Sequence, residues 1–256
     1  MANSKNQTSP PIDDLVRQSR YIVRGTIQKL NAATMSAILD TTSTVVARVD
    51  EVLQAPETLD DYTGRDITIL LSKSRGVKVG QQAVFFTNSW LYGESIAVVE
   101  VGRVAAGKDL TALRKQIADA DQRIADQALQ TRIDRAELIV VGKVAETRSV
   151  EKEGQRGPIT EHDPDWWEAV IEIESVEKRQ FPEKSIIVLF PRSTDEMWID
   201  SPKFYVNQEG NWILHRDQNE KGLLVLRVPG YTALDPLDFQ PKDQLERIRM
   251  LIKRSR

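Results

Sequence analysis

Cysteine is absent from the 256-residue chain, which excludes disulfides, thiolate metal sites and thiol nucleophiles. Histidine is nearly absent too: His162 and His215 are the only two, and they stand in separate loops, so histidine-dependent catalysis has little to draw on. No apolar run approaches the roughly 18 consecutive residues of a membrane-spanning helix, and no membrane partner is expected. The opening "MANSKNQTSPPIDD" lacks the apolar core of a signal peptide. The chain as written is therefore expected to be cytoplasmic, or extracytoplasmic if a leader has been removed. Positive charge is not in excess: 35 Lys and Arg against 38 Asp and Glu give a net charge of −3, so no global positive field gathers nucleic acid. A Gly-x-Ser-x-Gly elbow, a phosphate loop and a dinucleotide glycine pattern are all missing. "HRD" at 215–217 matches the kinase catalytic-loop tripeptide, but without a Gly-rich loop or an Asp-Phe-Gly it carries nothing. No catalytic residue is assigned, and no cofactor or resident metal is expected.

What is present is repetition. Hydrophobic residues at 40% and charged residues at 29% fit a soluble globular chain, and its apolar segments recur in order. "YIVRGTI" (21–27) matches "LIVVGKV" (138–144) at an offset of 117. "TVVARVDEV" (44–52) matches "EAVIEIESV" (168–176) at 124, and "DITILL" (66–71) matches "SIIVLF" (185–190) at 119. "VGQQAVFFT" (79–87) matches "VNQEGNWIL" (206–214) at 127, and "IAVVEV" (96–101) matches "LLVLRV" (223–228) at the same offset. Five matches in one order indicate a tandem duplication.

Each segment reads as a strand. Val45, Ala47 and Val49 alternate with polar or outward neighbours, as do Ala169, Ile171 and Ile173, and both series then slip phase to bring Val52 and Val176 inward. That slip predicts a β-bulge at the same place in each copy. Gly25 and Gly142 recur inside the first strand, marking either a bend needed to close a small barrel or a glycine tolerated at a sheet edge. Helices flank the strands: "DDLVRQSRY" and "TRIDRAEL" precede the first strand of each copy. Leu110, Leu113, Ile117, Ala120 and Ile124 form one apolar stripe in the linker, and "KDQLERIRMLI" closes the second copy. The expected fold is mainly β with flanking helices: two tandem five-stranded OB-like β-barrels from an internal duplication. A plain antiparallel sandwich is the alternative. The expected divisions are 12–107 for the first barrel, 108–131 for a linking helix, 132–240 for the second barrel, and 241–256 for a C-terminal helix with a basic tail.

The stretches "AELIVVGKV" (136–144), "ARVDEVLQA" (47–55) and "VKVGQQAVFFT" (77–87) resemble the tandem bacterial OB-like domains related to the tissue-inhibitor-of-metalloproteinases and netrin-like modules. The resemblance covers most of both copies. It rests on core and turn residues, so it implies a fold and hardly any activity. The animal inhibitors of that group chelate a protease zinc through an N-terminal cysteine. This chain has no cysteine, so that mechanism does not carry over.

The copies differ most between their first two strands, where the second is seven residues longer. This loop commonly borders the ligand face of an OB fold. It holds Glu161, His162, Asp163 and Asp165, followed by Trp166 and Trp167. An imidazole among carboxylates can ligate a divalent cation, and an outward tryptophan can anchor a partner, but "HDPD" is equally good turn chemistry. Alternation points Trp167 inward and Trp166 outward. In the first copy Trp90 and Tyr92, near a hairpin tip, either stack on a partner or cover the barrel end. Lys73, Arg75 and Lys78 form a modest basic loop. The leading expectation is a non-catalytic protein-binding or structural adaptor whose partner is another protein or larger assembly. A single-stranded nucleic-acid-binding protein is the first alternative. A hydrolase assisted by a metal at His162, Asp163 and Asp165 is the second.

Overall fold

A computed structural model describes residues 11–107, 110–150, 164–216 and 230–255. The chain divides into two compact units, Met1–Ala125 and Asp126–Arg256. The first holds α1 (Ile12–Arg17) and the strands β1 (Tyr21–Leu30), β2 (Thr44–Gln54), β3 (Asp66–Leu70), β4 (Gln82–Tyr92) and β5 (Ile96–Ala105). These strands close into a barrel in the order β1-β2-β3-β5-β4, with only β3 and β5 parallel. Inward residues Val23, Ile27, Val45, Val49, Ile69 and Phe85 are at most 2% exposed and form its core. The outer faces of β1 and β4 are buried as well. Ile22, Val84 and Phe86 pack against Leu15 and Val16 of α1 and against Leu110, Ile117 and Ala120 at the start of the next helix, α2 (Thr111–Arg135). That is why β1 and β4 read as nearly continuous apolar runs rather than as strict alternation.

In the second unit the end of α2 is followed by β6 (Leu138–Ser149), β7 (Trp166–Lys178), β8 (Ser185–Pro191), β9 (Glu209–Arg216), β10 (Tyr231–Thr232), β11 (Phe239–Pro241) and α3 (Leu245–Arg254). The six strands run β10-β8-β7-β6-β9-β11, and β10 also pairs with β9, so the pairing from β10 through β8, β7, β6 and β9 returns to β10. Leu129 and Ile133 of α2 bury with Ile139, Ile213 and the α3 residues Ile248, Leu251 and Ile252.

The pairings among the first four strands repeat in the two units at the offsets seen in the sequence. Gly25 faces Val49 across β1 and β2, and Gly142 faces Ile173 across β6 and β7. Both ladders skip one residue next to that pair, Asp50 in one and Glu174 in the other, which places the predicted bulge. The turn before the fourth strand repeats in its hydrogen bonds. Gly80 (φ +80°) donates its N–H to the Ile27 carbonyl at 2.8 Å, and Asn207 (φ +72°) donates to that of Val144 at 2.8 Å. Gln81 Oε1 accepts from the Lys78 N–H at 3.1 Å, and Gln208 Oε1 from that of Tyr205 at 3.1 Å. The left-handed position takes glycine in one case and asparagine in the other, the two residues that tolerate it best.

Two expectations need correction, and a third falls outside the described residues. The second unit has six described strands rather than five, because Phe239–Pro241 adds along β9 opposite Trp212, Asn211 and Gly210. The Phe239 ring lies so close to Gly210 that a Cβ there would fall 2.4 Å from it, and only glycine leaves that room. The stretch 223–228, read as a fifth strand, lies outside the described residues; among these, Tyr231–Thr232 pairs in parallel with β8. Finally, the helix read as ending at 131, with a separate helical turn before the next strand, is a single 25-residue helix. Nothing between Leu129 and Arg135 is a glycine or proline, so nothing stops it.

Ion pairs fasten α3. Arg249 donates to both carboxylate oxygens of Glu177, at 2.8 and 3.0 Å. This bonding holds the Glu177 carboxyl below its ordinary range. A carboxylate depressed in the folded state stabilises above its unfolded pKa and loses that contribution as pH falls through the folded one. Acidification to about pH 3 is therefore expected to cost wild type more stability than Glu177→Gln, read as the urea midpoint at both pH values.

Candidate functional site

β7 opens on two tryptophans that alternation sends to opposite faces. Trp167 packs on the second core beside Phe190, with the Arg192 guanidinium 4.1 Å above its ring and its indole N–H donated to Asp165 at 3.0 Å. Trp166 lies on the other face. Its ring meets that of Trp198 edge-on, with centroids 5.7 Å apart at 63°. Trp198 belongs to the loop after β8, "RSTDEMWIDS", which folds into a tight turn. The Asp195 carboxylate accepts the Met197 N–H at 2.8 Å, and the Asp195 carbonyl accepts those of Trp198 and Ile199 at 2.9 and 2.8 Å. The loop is tied back to the start of β7. The Arg192 N–H donates to the Asp165 carbonyl at 2.7 Å, and Ser193 Oγ accepts the Asp165 N–H at 2.6 Å. Lys203 Nζ closes its far side on the Trp198 carbonyl at 2.7 Å.

The result is a fixed apolar surface. Met197 is 64% exposed and Ile199 59% exposed, and they flank Trp198 in the turn. Large apolar side chains held out by a hydrogen-bonded turn have no folding reason to face water, and such patches mark contact sites.

Of the acidic-loop candidates, Asp165 and Trp166 stand together at this surface, while Glu161, His162 and Asp163 lie outside the described residues. Among the described residues no group of three or more His, Asp or Glu side chains is placed to hold a metal ion. Trp90 and Tyr92 belong to the first unit. They sit within β4, which runs to Tyr92 before the turn at Gly93–Ser95, and with Leu91 they form three consecutive exposed apolar residues. The β4–β5 register shifts at Trp90, so this edge is bulged. A bulge blunts an edge against strand addition.

The second unit also contains a buried charge network that the sequence did not reveal. Asp238, with its side chain 1% exposed, accepts from Arg132 Nε and Nη2 at 2.8 Å each and from the N–H groups of Leu234 and Asp235 at 3.0 Å each. His215 Nε2 lies 3.1 Å from the same carboxylate. In the first unit Glu100 is likewise saturated by Ser72 and Arg103. Carboxylates held by this many donors in the fold's own elements are structural. A shallow depression of about 350 Å³ near Ile133 and Ile252 is similarly spoken for. Its Lys178 ammonium donates to the carbonyls of Ile133, Asp134 and Ala136 at 2.6, 3.0 and 2.8 Å, capping α2. Met197 and Ile199, exposed on this turn, did carry a signal in the sequence, since "EMWID" sets three apolar residues among acids in a loop.

No protein-family model matches this chain, and no curated protein sequence matches it.

Proposed function

We propose that the chain is a non-catalytic protein-binding or structural adaptor built from two duplicated OB-like barrels, with its contact face on the second. The duplication is supported by register: bulges, left-handed turn and turn-glutamine bonds recur at the offsets of the sequence repeat. An OB-like reading suits strands of this order with a helix packed across them, and the resemblance to the netrin-like modules points the same way. A scaffold of this kind presents loops, and function follows the loops.

The observation that carries the reading is the exposed Met197–Ile199 turn against Trp166. The test is recovery of a stoichiometric protein partner from nuclease-treated lysate by tagged full-length protein, with Met197→Ser/Ile199→Ser as the variant. The double variant is expected to lose the partner while its stability stays within about 0.5 kcal/mol, as for other exposed positions. Recovery of nucleic acid alone when nuclease is omitted would contradict the adaptor reading.

A further inference from the structure

The surface around Trp166 has a sign as well as an apolar character. Asp165, Asp195, Glu196 and Asp200 all lie in the two segments that build it, and Glu196 and Asp200 are exposed on the same turn as Met197 and Ile199. Among the described residues neither Glu196 nor Asp200 has an ion-pair partner. The cations of these segments do not pair with those two carboxylates. Arg192 is stacked on Trp167, and Lys203 reaches back under the turn to the Trp198 carbonyl. Among the described residues the turn that carries Met197 and Ile199 therefore bears two exposed carboxylates without an ion pair, Glu196 and Asp200. A contact here buries Met197 and Ile199 only by bringing partner groups alongside Glu196 and Asp200. An acidic or neutral partner would leave those charges desolvated and unpaired, while Lys or Arg would pair with them.

We infer that the Trp166–Trp198 face takes a basic amphipathic segment of another protein, its apolar side chains on Met197, Ile199 and the tryptophan pair and its Lys or Arg groups on Glu196 and Asp200. This rests on the protein-contact reading above and adds the chemistry of the partner. The chain's own basic helix α3 does not qualify, since its apolar face is already buried against Ile139 and Ile213.

The test titrates full-length protein with a tryptophan-free Leu/Lys amphipathic peptide of about 18 residues, and with a Leu/Glu peptide of the same apolar pattern. Binding is read from tryptophan emission, to which Trp166 and Trp198 contribute directly. The Lys peptide is expected to bind at least about tenfold more tightly than the Glu peptide, and to weaken at about 0.5 M salt. Glu196→Lys/Asp200→Lys is expected to invert the preference, and Met197→Ser/Ile199→Ser to abolish binding of both. Equal binding of the two peptides, still lost in the serine variant, would overturn the basic partner and leave the apolar contact face standing. Binding of both peptides that is untouched by the serine variant would overturn the face itself. Concentration-dependent self-association removed by the serine variant would assign the face to a second copy. Peptide binding gained only when residues 151–163 are replaced by a Gly-Ser linker would assign it to that segment. Either result overturns the inference.

Discussion

Replacing Asp238 with alanine is expected to destabilise the second unit by about 3–5 kcal/mol, the cost of breaking a buried pair from one side. The carboxylate is the hub of that unit's tail end. It receives Arg132 from α2, His215 from the end of β9 and two backbone N–H groups from the turn leading to β11. Its removal leaves the Arg132 guanidinium, whose side chain is only 23% exposed, with Asp235 at 3.9 Å as its remaining carboxylate, and unpins the segment carrying Phe239, which fills the core between Phe204 and Trp212. Asp238→Asn keeps an acceptor but not the charge, and is expected to lie between wild type and alanine. Urea unfolding followed by tryptophan emission reads this unit selectively, because four of the five tryptophans (Trp166, Trp167, Trp198 and Trp212) belong to it. A loss below about 1 kcal/mol would show that the network is not holding β11 and the end of β9 together.

The second large effect separates the two copies. Gly142→Ala is expected to cost about 3 kcal/mol or more, and Gly25→Ala about 1. A Cβ on Gly142 would stand 2.2 Å from the Glu172 carbonyl oxygen and 2.9 Å from the Ile171 methyl, whereas on Gly25 the nearest atom, the Arg48 carbonyl oxygen, is 3.1 Å away. At Gly142 the obstacle is backbone, so β6 and β7 must part at their tightest approach. At Gly25 a shift of a few tenths of an ångström suffices. Equal losses would mean that β2 and β7 yield alike and that the closer approach in the second unit stores no constraint.

The strands were legible because their evidence is local. The phase slip between Val49 and Val52, repeated between Ile173 and Val176, places a bulge without any tertiary knowledge, and a shared turn-residue-then-Gln pattern marks Gly80 and Asn207 as equivalent. What escaped depends on distance along the chain. Arg132 and Asp238 are 106 positions apart, and neither residue type announces burial. The Trp166–Trp198 pair likewise needs the loop after β8 folded back on β7. Alternation could say that Trp166 faces outward, but not that Met197 and Ile199 would join it. β11 was missed because a three-residue strand containing a proline carries almost no pattern, and only Gly210 hints that a ring lies across β9.

The measurement that tests the adaptor reading most directly is site-specific photo-crosslinking in cells of the native organism, with a photoreactive residue at position 197 or at position 250. Both are exposed methionines of the second unit, 64% and 55% accessible, but only Met197 lies beside the Trp166–Trp198 pair, while Met250 lies on α3. A single discrete protein adduct from position 197, absent from position 250, is the predicted result. Adducts of equal yield from both positions, or from neither, would contradict a dedicated contact face.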